Sequence, residues 1–460
     1  MFRKVIFTSA IILAIALFWT KYEETRSISE LKKIEQWAEE NKIKVDKSIE
    51  VEKFKIEFDQ KEWSLLKQKL SLTRYFTALE DVPSFDYGFD PDYARELVEY
   101  WQTNFDWKSQ VDYLNKYPQF RIRINDTIIH YVHYITNPNA AKKVNLLLLD
   151  GWPGAFFGFF QAIEFIQKTY TDISFSIVVP SIPGFGFSNP TVKVVDPFDT
   201  ALIFDALLRF LNGENSQYFI HGEDWGSLIS TYLAKLYPQR VKGIHITMPP
   251  LTSFFDSKSL FYALIGQFFP NSILTEQEIQ FGVKFSLSEI ASLIIKKTGY
   301  FHIQATKPDS IGAGMNDSPL GLLTYILEKY SFGTFGLNKV LGTKDGGLKR
   351  FERDHLLTIL TYYWMTNSIT SSMRLYRNTF YTMEKGWPRS VLNMVKITQK
   401  VPVGVQVFEH EVSFVPFKVL QGKYLNLSQY ILVEDGGHFA NFENPEKISI
   451  NFIEFVSKIF

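Results

Sequence analysis

An aspartate stands at a point where a predicted strand leads directly into a predicted helix. Residues 218–227 run from an apolar stretch into the pattern Gly-x-Asp-x-Gly, with Asp224 at its centre, and a helix is predicted over 228–236. Glycine two positions before and two positions after Asp224 permits the close backbone approach that a strained strand-to-helix turn requires. The pattern therefore presents Asp224 as a nucleophile, and the alternative is an aspartate that only caps the helix. No Gly-x-Ser-x-Gly segment occurs in the sequence, which disfavours a serine esterase or lipase.

A carboxylate nucleophile favours one class of reaction. It attacks a saturated carbon to form an ester, and water that attacks the ester carbonyl then regenerates the carboxylate. Asp224 thus points to substitution at carbon followed by hydrolysis, with epoxides or alkyl halides as substrates. The sequence contains no cysteine, so thiolate nucleophiles, disulfides and cysteine-ligated metal sites are excluded.

Hydrolysis of such an ester needs a general base, and the sequence has eight histidines. His438 is the candidate because it follows two glycines directly after a late predicted strand. The chain order of α/β-hydrolases is nucleophile, acid, histidine, which places the acid between Asp224 and His438. Glu409 and Glu411 both follow another predicted strand, and their positions alone leave the two tied. A metal bound by His410 together with these glutamates and His438 is disfavoured, because the standard ligand spacing on one helix is lacking.

Two backbone amides are predicted to form an oxyanion hole. One belongs to Trp225, directly after the nucleophile, and the other is expected in a loop that follows an earlier strand. The strand predicted over 144–149 leads into Asp150-Gly-Trp-Pro-Gly, so the amide of Trp152 is the candidate. The alternative for this loop is an ordinary Trp-Pro turn.

The elements that must position these residues alternate along the chain. Alternating strands and helices predict an α/β fold with a mostly parallel sheet and helices on both faces. The α/β core is predicted over 119–249 and 387–460. Residues 250–386 lack the strand rhythm and are predicted to form a helical cap over the site. Residues 23–118 have helical periodicity and are predicted to form an N-terminal helical arm. Strands are predicted at 120–125, 128–134, 144–149, 173–179, 218–221, 243–247, 401–408 and 430–433.

Residues 1–22 are predicted to form a membrane anchor. The apolar run 5–19 has charged flanks and would span about 22 Å as a helix, against a hydrocarbon thickness of about 30 Å, so it would need tilt. The alternative is a cleaved signal peptide.

The 42 phenylalanines fit lipid contact or a large apolar cavity. The 49 basic and 49 acidic residues balance, which gives no electrostatic footprint for nucleic acid.

The sequence resembles the microsomal and juvenile hormone epoxide hydrolases from its N-terminal segment to its last helix. Besides the segments around Asp224 and His438, the resemblance is carried by three stretches of the sequence. These are residues 181–188, residues 299–309 with 316–319, and residues 325–329. The resemblance implies an α/β-hydrolase fold and the hydrolysis of lipophilic epoxides to vicinal diols through a covalent aspartyl ester. It also implies that no cofactor or metal is needed, and that the catalytic part lies on the cytosolic face of the endoplasmic reticulum membrane.

The resemblance also assigns roles to residues. It implies Asp224 as nucleophile, His438 as base, and Glu411 rather than Glu409 as the acid that holds the imidazole. Tyr300 and Tyr376 are implied as the cap tyrosines that protonate the epoxide oxygen, a role that suits two phenols in a desolvated pocket. The nearest rival is a haloalkane dehalogenase-like hydrolase, and a further one is a catalytically impaired member that binds a lipid or hormone.

One residue departs from the family's pattern. Asp150 stands where the family has histidine at the start of the oxyanion loop. An ionised aspartate cannot donate a hydrogen bond, and its charge would oppose a developing oxyanion. We therefore expect Asp150 to slow ester hydrolysis, to shift the pH profile, or to lie harmlessly within its loop.

Three N-glycosylation sequons begin at Asn125, Asn316 and Asn426. They would be usable only if this part of the chain were lumenal.

Overall fold

A computed structural model describes residues 28–250, 265–282, 292, 295–335, 341–381, 387 and 400–460. The predicted anchor over 1–22 lies outside these residues. Among the described residues, no helix is both long enough and apolar enough to cross a bilayer.

The described residues contain one large sheet. Its strands are Glu52–Phe54 (β1), Gln119–Ile124 (β2), Thr127–Ile135 (β3), Lys142–Leu149 (β4), Ile173–Pro180 (β5), Tyr218–Gly222 (β6), Val241–Ile246 (β7), Val403–His410 (β8) and Leu427–Gly437 (β9). The strand order is β1-β2-β3-β5-β4-β6-β7-β8-β9. Neighbouring strands from β5 through β4 to β9 are parallel, and β1, β2 and β3 add an antiparallel edge. All eight predicted strands are therefore present, and they form the predicted mostly parallel sheet.

Helices lie on both faces of this sheet and beyond its carboxyl edge, and we number all of them in chain order. They are 28–40 (α1), Gln60–Ser71 (α2), Pro91–Thr103 (α3), Trp107–Leu114 (α4), Phe160–Thr169 (α5), Pro197–Asn212 (α6), Trp225–Leu236 (α7), Pro270–Ile273 (α8), Glu276–Gln280 (α9), Gly299–Thr306 (α10), Pro308–Asp317 (α11), Pro319–Phe335 (α12), Arg353–Met365 (α13), Ile369–Tyr381 (α14), Phe417–Leu420 (α15), Ala440–Glu443 (α16) and Pro445–Ile459 (α17), with short 3-10 turns at Phe156–Phe159 and Leu348–Arg350. From β4 the chain steps through α5 to β5 on one side, and then through α6 to β6 on the other. Because such crossovers are right-handed, the two helices lie on opposite faces.

Two details of the predicted elements are wrong. The first is the helical periodicity over the arm, because β1 at residues 52–54 pairs with β2 as an edge strand. A strand of three residues, two of them exposed and one partly buried, is too short to show an alternating pattern. The second is the end of the last strand, which continues to Gly437 instead of stopping at 433. The left-handed backbone at Asp435 and Gly436 accommodates an irregularity in the pairing with β8, after which the strand resumes.

The helices between the two halves of the sheet pack on one another and on the sheet's loops. Arg374 of α14 forms a bidentate ion pair with Asp309 of α11, at 2.6 and 3.0 Å. The hydroxyl of Tyr363 on α13 donates to the carbonyl of Gly154, at 2.8 Å, in the loop that follows β4. This contact holds α13 against the loop at the carboxyl end of β4.

A buried ion network joins the N-terminal helices to the core. Asp205 is fully buried and contacts Arg209 at 2.8 Å and Arg240 at 2.7 Å. Arg209 also donates to the carbonyl of Ile43, at 2.7 Å, and Arg240 pairs with Glu39, at 3.0 Å. Because each buried charge has an opposite partner and further hydrogen bonds, the network is satisfied internally.

Candidate active site

Asp224 sits on a sharp turn between β6 and α7. Its backbone has φ 48° and ψ −121°, a conformation that a non-glycine residue adopts only under strain. A Cβ at Gly222 would lie 2.5 Å from the carbonyl oxygen of Gly226, and a Cβ at Gly226 would lie 2.2 Å from that of Leu149. The two glycines are therefore required by backbone contacts, as the sequence pattern predicted. The turn presents the Asp224 carboxylate at the carboxyl edge of the sheet.

The loop after β4 supplies a hydrogen bond to this carboxylate. The amide of Trp152 donates to Oδ1 of Asp224, at 2.8 Å. The approach is close, because a Cβ at Gly151 would lie only 2.0 Å from the same oxygen. Since β4 and β6 are neighbours in the sheet, their loops meet at this edge. Trp225, whose amide is the second predicted donor, directly follows Asp224 as the first residue of α7.

His438 and Glu411 complete the group of polar side chains. Nδ1 of His438 is 2.6 Å from Oε1 of Glu411, and Nε2 is 3.6 Å from Oδ2 of Asp224. Glu409 instead accepts a hydrogen bond from a backbone amide of β9, at 3.2 Å. The geometry thus separates the two glutamates that sequence position left tied, and only Glu411 contacts the histidine. Within the described part of the chain, no three side chains of ligand type converge as a metal site would need.

The environment of His438 favours its charged form. Burial disfavours the imidazolium, but the carboxylates of Glu411 and Asp224 outweigh burial and raise the pKa of His438 well above its usual range. The resting site therefore contains an imidazolium between two carboxylates. This charge balance depends on Asp224 being ionised.

The two predicted tyrosines lie together above the nucleophile. Tyr300 on α10 and Tyr376 on α14 have ring centroids 6.2 Å apart. Trp152 stacks on Tyr300 at 5.8 Å, and Trp225 contacts the edge of Tyr376 at 4.7 Å. Burial raises the pKa of both tyrosines, and the charge of Asp224 adds to the rise, so both remain neutral phenols able to donate a proton.

Asp150 turns away from the nucleophile and into its own loop. Its Oδ1 accepts from the amide of Gly151, at 2.7 Å, and its Oδ2 accepts from the amide of Ala155, at 2.9 Å, and from Nδ2 of Asn441, at 3.2 Å. Burial and the charge of Glu223 raise the pKa of Asp150 to about 8, and the two backbone donors counter that rise. Of the three outcomes expected for this residue, the placement within the loop is the one observed.

Sequence reasoning missed two groups that surround the site. Nζ of Lys329 lies 4.8 Å above the ring of Tyr300, and burial, with Lys297 adding, lowers the pKa of this lysine to about 7. The carbonyl of Gly333 accepts from the amide of His438, at 2.7 Å, and a Cβ at Gly437 would lie 1.9 Å from that oxygen. Lys329 belongs to a segment that stood out in the sequence without a role. Nothing in the pattern around Gly333 signalled its contact.

Comparison with known proteins identifies the family of the chain. The family model described as the epoxide hydrolase N terminus matches residues 51–159, and that of the α/β hydrolase fold matches residues 144–270. Epoxide hydrolase 1 of Sus scrofa is 35% identical over 413 residues, which covers 88% of this chain and 88% of that protein. The chain belongs to the epoxide hydrolase family. The juvenile hormone epoxide hydrolase of Bombyx mori is a further relative, 35% identical over 423 residues, covering 90% of this chain and 88% of the relative.

Solved structures of epoxide hydrolases share the fold. The crystal structure of juvenile hormone epoxide hydrolase from Bombyx mori aligns with a TM-score of 0.82 at 33% identity, covering 90% of this chain and 95% of that one. The structure of Aspergillus niger epoxide hydrolase aligns with a TM-score of 0.71 at 24% identity and shows the fold alone. The predicted α/β-hydrolase fold and the predicted family are confirmed.

Proposed function

We propose that this member of the epoxide hydrolase family converts lipophilic epoxides to vicinal diols through a covalent ester on Asp224. One observation carries the proposal. The Asp224 carboxylate has one oxygen on the Trp152 amide and the other facing His438, below the Tyr300 and Tyr376 hydroxyl-bearing rings. Such an arrangement supplies a nucleophile, a base and two proton donors around one small volume.

In the first half-reaction, Oδ2 of Asp224 attacks a ring carbon of the epoxide. The new bond is the ester C–O bond, the ring C–O bond breaks, and its electron pair goes to the epoxide oxygen. Tyr300 or Tyr376 donates its phenolic proton to that oxygen, and the phenolate is reprotonated before the next turnover. The buried aromatic surroundings exclude water and strengthen the hydrogen bonds to the developing alkoxide.

In the second half-reaction, the imidazolium of His438 first gives up its proton, which restores the tyrosine phenol. The neutral imidazole then removes a proton from water, and the water oxygen attacks Cγ of Asp224. The negative charge develops on Oδ1, where the amides of Trp152 and Trp225 stabilise it. The tetrahedral intermediate collapses with cleavage of the Cγ–Oδ2 bond, and the alcohol leaves with the proton from His438. The proton that remains on the Asp224 carboxyl then passes to His438, which restores the carboxylate and the imidazolium. Glu411 holds the imidazole in the required tautomer and stabilises its protonated form.

Trapping the ester tests this mechanism directly. His438→Gln should form the ester and fail to hydrolyse it, so that protein mass increases by one substrate molecule, and Asp224→Ala should show no such increase. The exposed His302 on α10 provides the matched control, because His302→Gln should turn over normally. A single turnover of the unsubstituted protein in heavy-oxygen water should label Asp224. If Asp224 stays unlabelled, the covalent mechanism is wrong.

A haloalkane dehalogenase-like reaction remains the second candidate. It is favoured by the indole N–H of Trp152, which is buried and has no hydrogen-bond partner among the described residues, so it could face a departing halide. The tyrosine pair favours the epoxide instead, because an alkoxide needs a proton and a halide does not. Chloride release from chloroalkanes, measured beside diol release from epoxides, distinguishes the two. Ligand binding without either product would instead favour the impaired binding protein.

We also propose a separate role for each predicted part of the chain. The core over 119–249 and 387–460 supplies the triad, the cap over 250–386 supplies the tyrosines, and residues 23–118 brace the core. We further propose that residues 1–22 attach the protein to the endoplasmic reticulum membrane, which the apolar run between charged flanks supports. The resemblance to the microsomal epoxide hydrolases supports a catalytic part in the cytosol. Alkaline extraction should release a chain lacking residues 1–22 and should leave the full chain with the membrane. A glycosidase-sensitive mass shift would contradict the cytosolic placement.

A further inference from the structure

We propose that Asp150 is a positioning residue that clamps the oxyanion loop to the segment carrying His438. The oxyanion loop is defined here as residues 150–155, and the inference rests on the ester mechanism proposed above. The clamp acts on the second half-reaction, in which the loop amide and the histidine must serve the same tetrahedral centre. Asp150 itself touches neither the nucleophile nor water in this scheme.

The carboxylate of Asp150 fixes both ends of the oxyanion loop. Oδ1 accepts from the amide of Gly151 and Oδ2 accepts from the amide of Ala155, at 2.7 and 2.9 Å. Between these two points lies the Trp152 amide that donates to Asp224. The direction of that amide is therefore set by a loop whose first and last N–H groups are bound to a single side chain.

The same carboxylate reaches the other half of the catalytic machinery. Nδ2 of Asn441 donates to Oδ2 of Asp150, at 3.2 Å, and Asn441 lies on α16, three residues after His438. Space is left for this bridge by glycines. A Cβ at Gly154 would lie 2.4 Å from the Asp150 oxygens, and a Cβ at Gly158 would lie 2.5 Å from Nδ2 of Asn441. A side chain at either position would therefore collide with the bridge.

A carboxyl group matches this environment. Three N–H donors converge on the side chain, and both oxygens of a carboxyl group can accept, whether the group is ionised or holds a proton. An asparagine offers one acceptor oxygen, and a neutral histidine offers one acceptor nitrogen. A histidine at this position should therefore fit this chain worse than Asp150 does, and Asp150→His should not raise activity.

The clamp predicts an unequal effect on the two half-reactions. Ester hydrolysis uses the Trp152 amide as an oxyanion donor and His438 as a base, so it requires both sides of the bridge. Ester formation needs the carboxylate of Asp224 and the tyrosines, and it does not need the base. Loss of an oxyanion donor costs roughly 100-fold to 1,000-fold, and a misplaced one costs less.

The experiment measures the rates of ester formation and ester hydrolysis by rapid quenching and mass analysis of the full chain. Asp150→Asn and Asp150→His should slow hydrolysis by roughly 10-fold to 100-fold and change ester formation by less than about 3-fold. Asn441→Ala, which leaves the buried carboxylate in place, should slow hydrolysis by roughly 10-fold and keeps the test possible if the Asp150 variants do not fold. Asp196→Asn is the matched control, because Asp196 is a buried aspartate that accepts from a backbone amide at the start of α6.

The outcomes separate the clamp from a purely structural role. Asp196→Asn should lower the melting temperature without changing the ratio of the two rates. Combining Asp150→Asn with Asn441→Asp exchanges donor and acceptor across the bridge and should recover part of the lost hydrolysis rate. Equal slowing of both half-reactions, or an unchanged ratio in both Asp150→Asn and Asn441→Ala, would overturn the inference. If the unsubstituted protein forms no ester at all, the proposed function fails instead.

Discussion

Replacing Asp224 with asparagine should release the proton that His438 holds in the resting site. The substitution keeps the shape of the side chain and removes its charge, as ester formation also does. Nε2 of His438 lies 3.6 Å from Oδ2 of Asp224. At an effective dielectric constant of about 20, two unit charges at that separation attract each other by about 5 kcal/mol. Because the substitution removes one of the two carboxylates beside the imidazolium, we expect the pKa of His438 to fall in Asp224→Asn.

The direction of this shift has a mechanistic meaning. Asp224 and Glu411 raise the pKa of His438 in the free protein, so the imidazole is protonated there. Formation of the ester removes one of the two negative charges and lowers that pKa, which converts the imidazolium into a base when a base is needed. Ester hydrolysis should therefore accelerate with rising pH through a lower pKa than the one that the free protein shows.

Nuclear magnetic resonance titration of the histidine rings measures the shift. His438→Gln assigns the resonance, and His130 is an internal reference, since burial lowers its pKa to about 3 and it should not titrate near neutrality. The pKa of His438 in Asp224→Asn should lie below that in the unsubstituted protein. An equal or higher value would refute the electrostatic coupling and would leave Glu411 as the sole source of the raised pKa.

Three further perturbations follow from the geometry. Tyr300→Phe should slow ester formation by roughly 10-fold to 100-fold and leave hydrolysis of a preformed ester nearly unchanged, which single-turnover quenching measures. Gly151→Ala should abolish ester formation while circular dichroism remains native, because the new Cβ would lie 2.0 Å from the nucleophile; Gly314→Ala, with nothing within 4 Å, should be active. Asp205→Asn should lower the free energy of unfolding by about 3 to 5 kcal/mol in urea, since it leaves two buried arginines short of a partner. Glu214→Gln, at a half-exposed ion pair, should cost less than about 1 kcal/mol, and equal losses for these two variants would contradict the burial argument.

Much of this architecture could be predicted because strand patterns and elbow glycines are local. The parallel strands are continuous apolar runs, and their order places the residues after β4, β6, β8 and β9 at one edge. The short edge strand β1 was not predictable, because its three residues are defined by pairing with β2 across a long stretch of chain. The assignment of 434–437 to a loop failed because two residues with positive φ interrupted the pattern without ending the strand.

The candidate site also contains residues that the sequence could predict and residues that it could not. Asp224 and His438 stand in patterns of their own, whereas the choice between Glu409 and Glu411 depended on which carboxylate faces β9 and which faces the imidazole. The orientation of Asp150 was undetermined by the sequence, because its partners Ala155 and Asn441 are brought to it by separate parts of the chain. A hydrogen bond between main-chain groups, such as that from the His438 amide to the Gly333 carbonyl, does not depend on the type of either residue, so the sequence could not predict it.

The two oxygens of Asp224 are held in different environments, and this asymmetry would determine which oxygen isotope the diol product carries. Oδ1 is bound to the Trp152 amide in a space too tight for a Cβ at Gly151, while Oδ2 faces His438. An oxygen that attacks the epoxide leaves with the diol, and the oxygen of water takes its place. In heavy-oxygen water, the first diol from each molecule would therefore carry the old carboxylate oxygen and every later diol a labelled one. The oxygen at Oδ1 would stay unlabelled through all turnovers. The isotope at each carboxylate position would therefore show which oxygen attacks the epoxide.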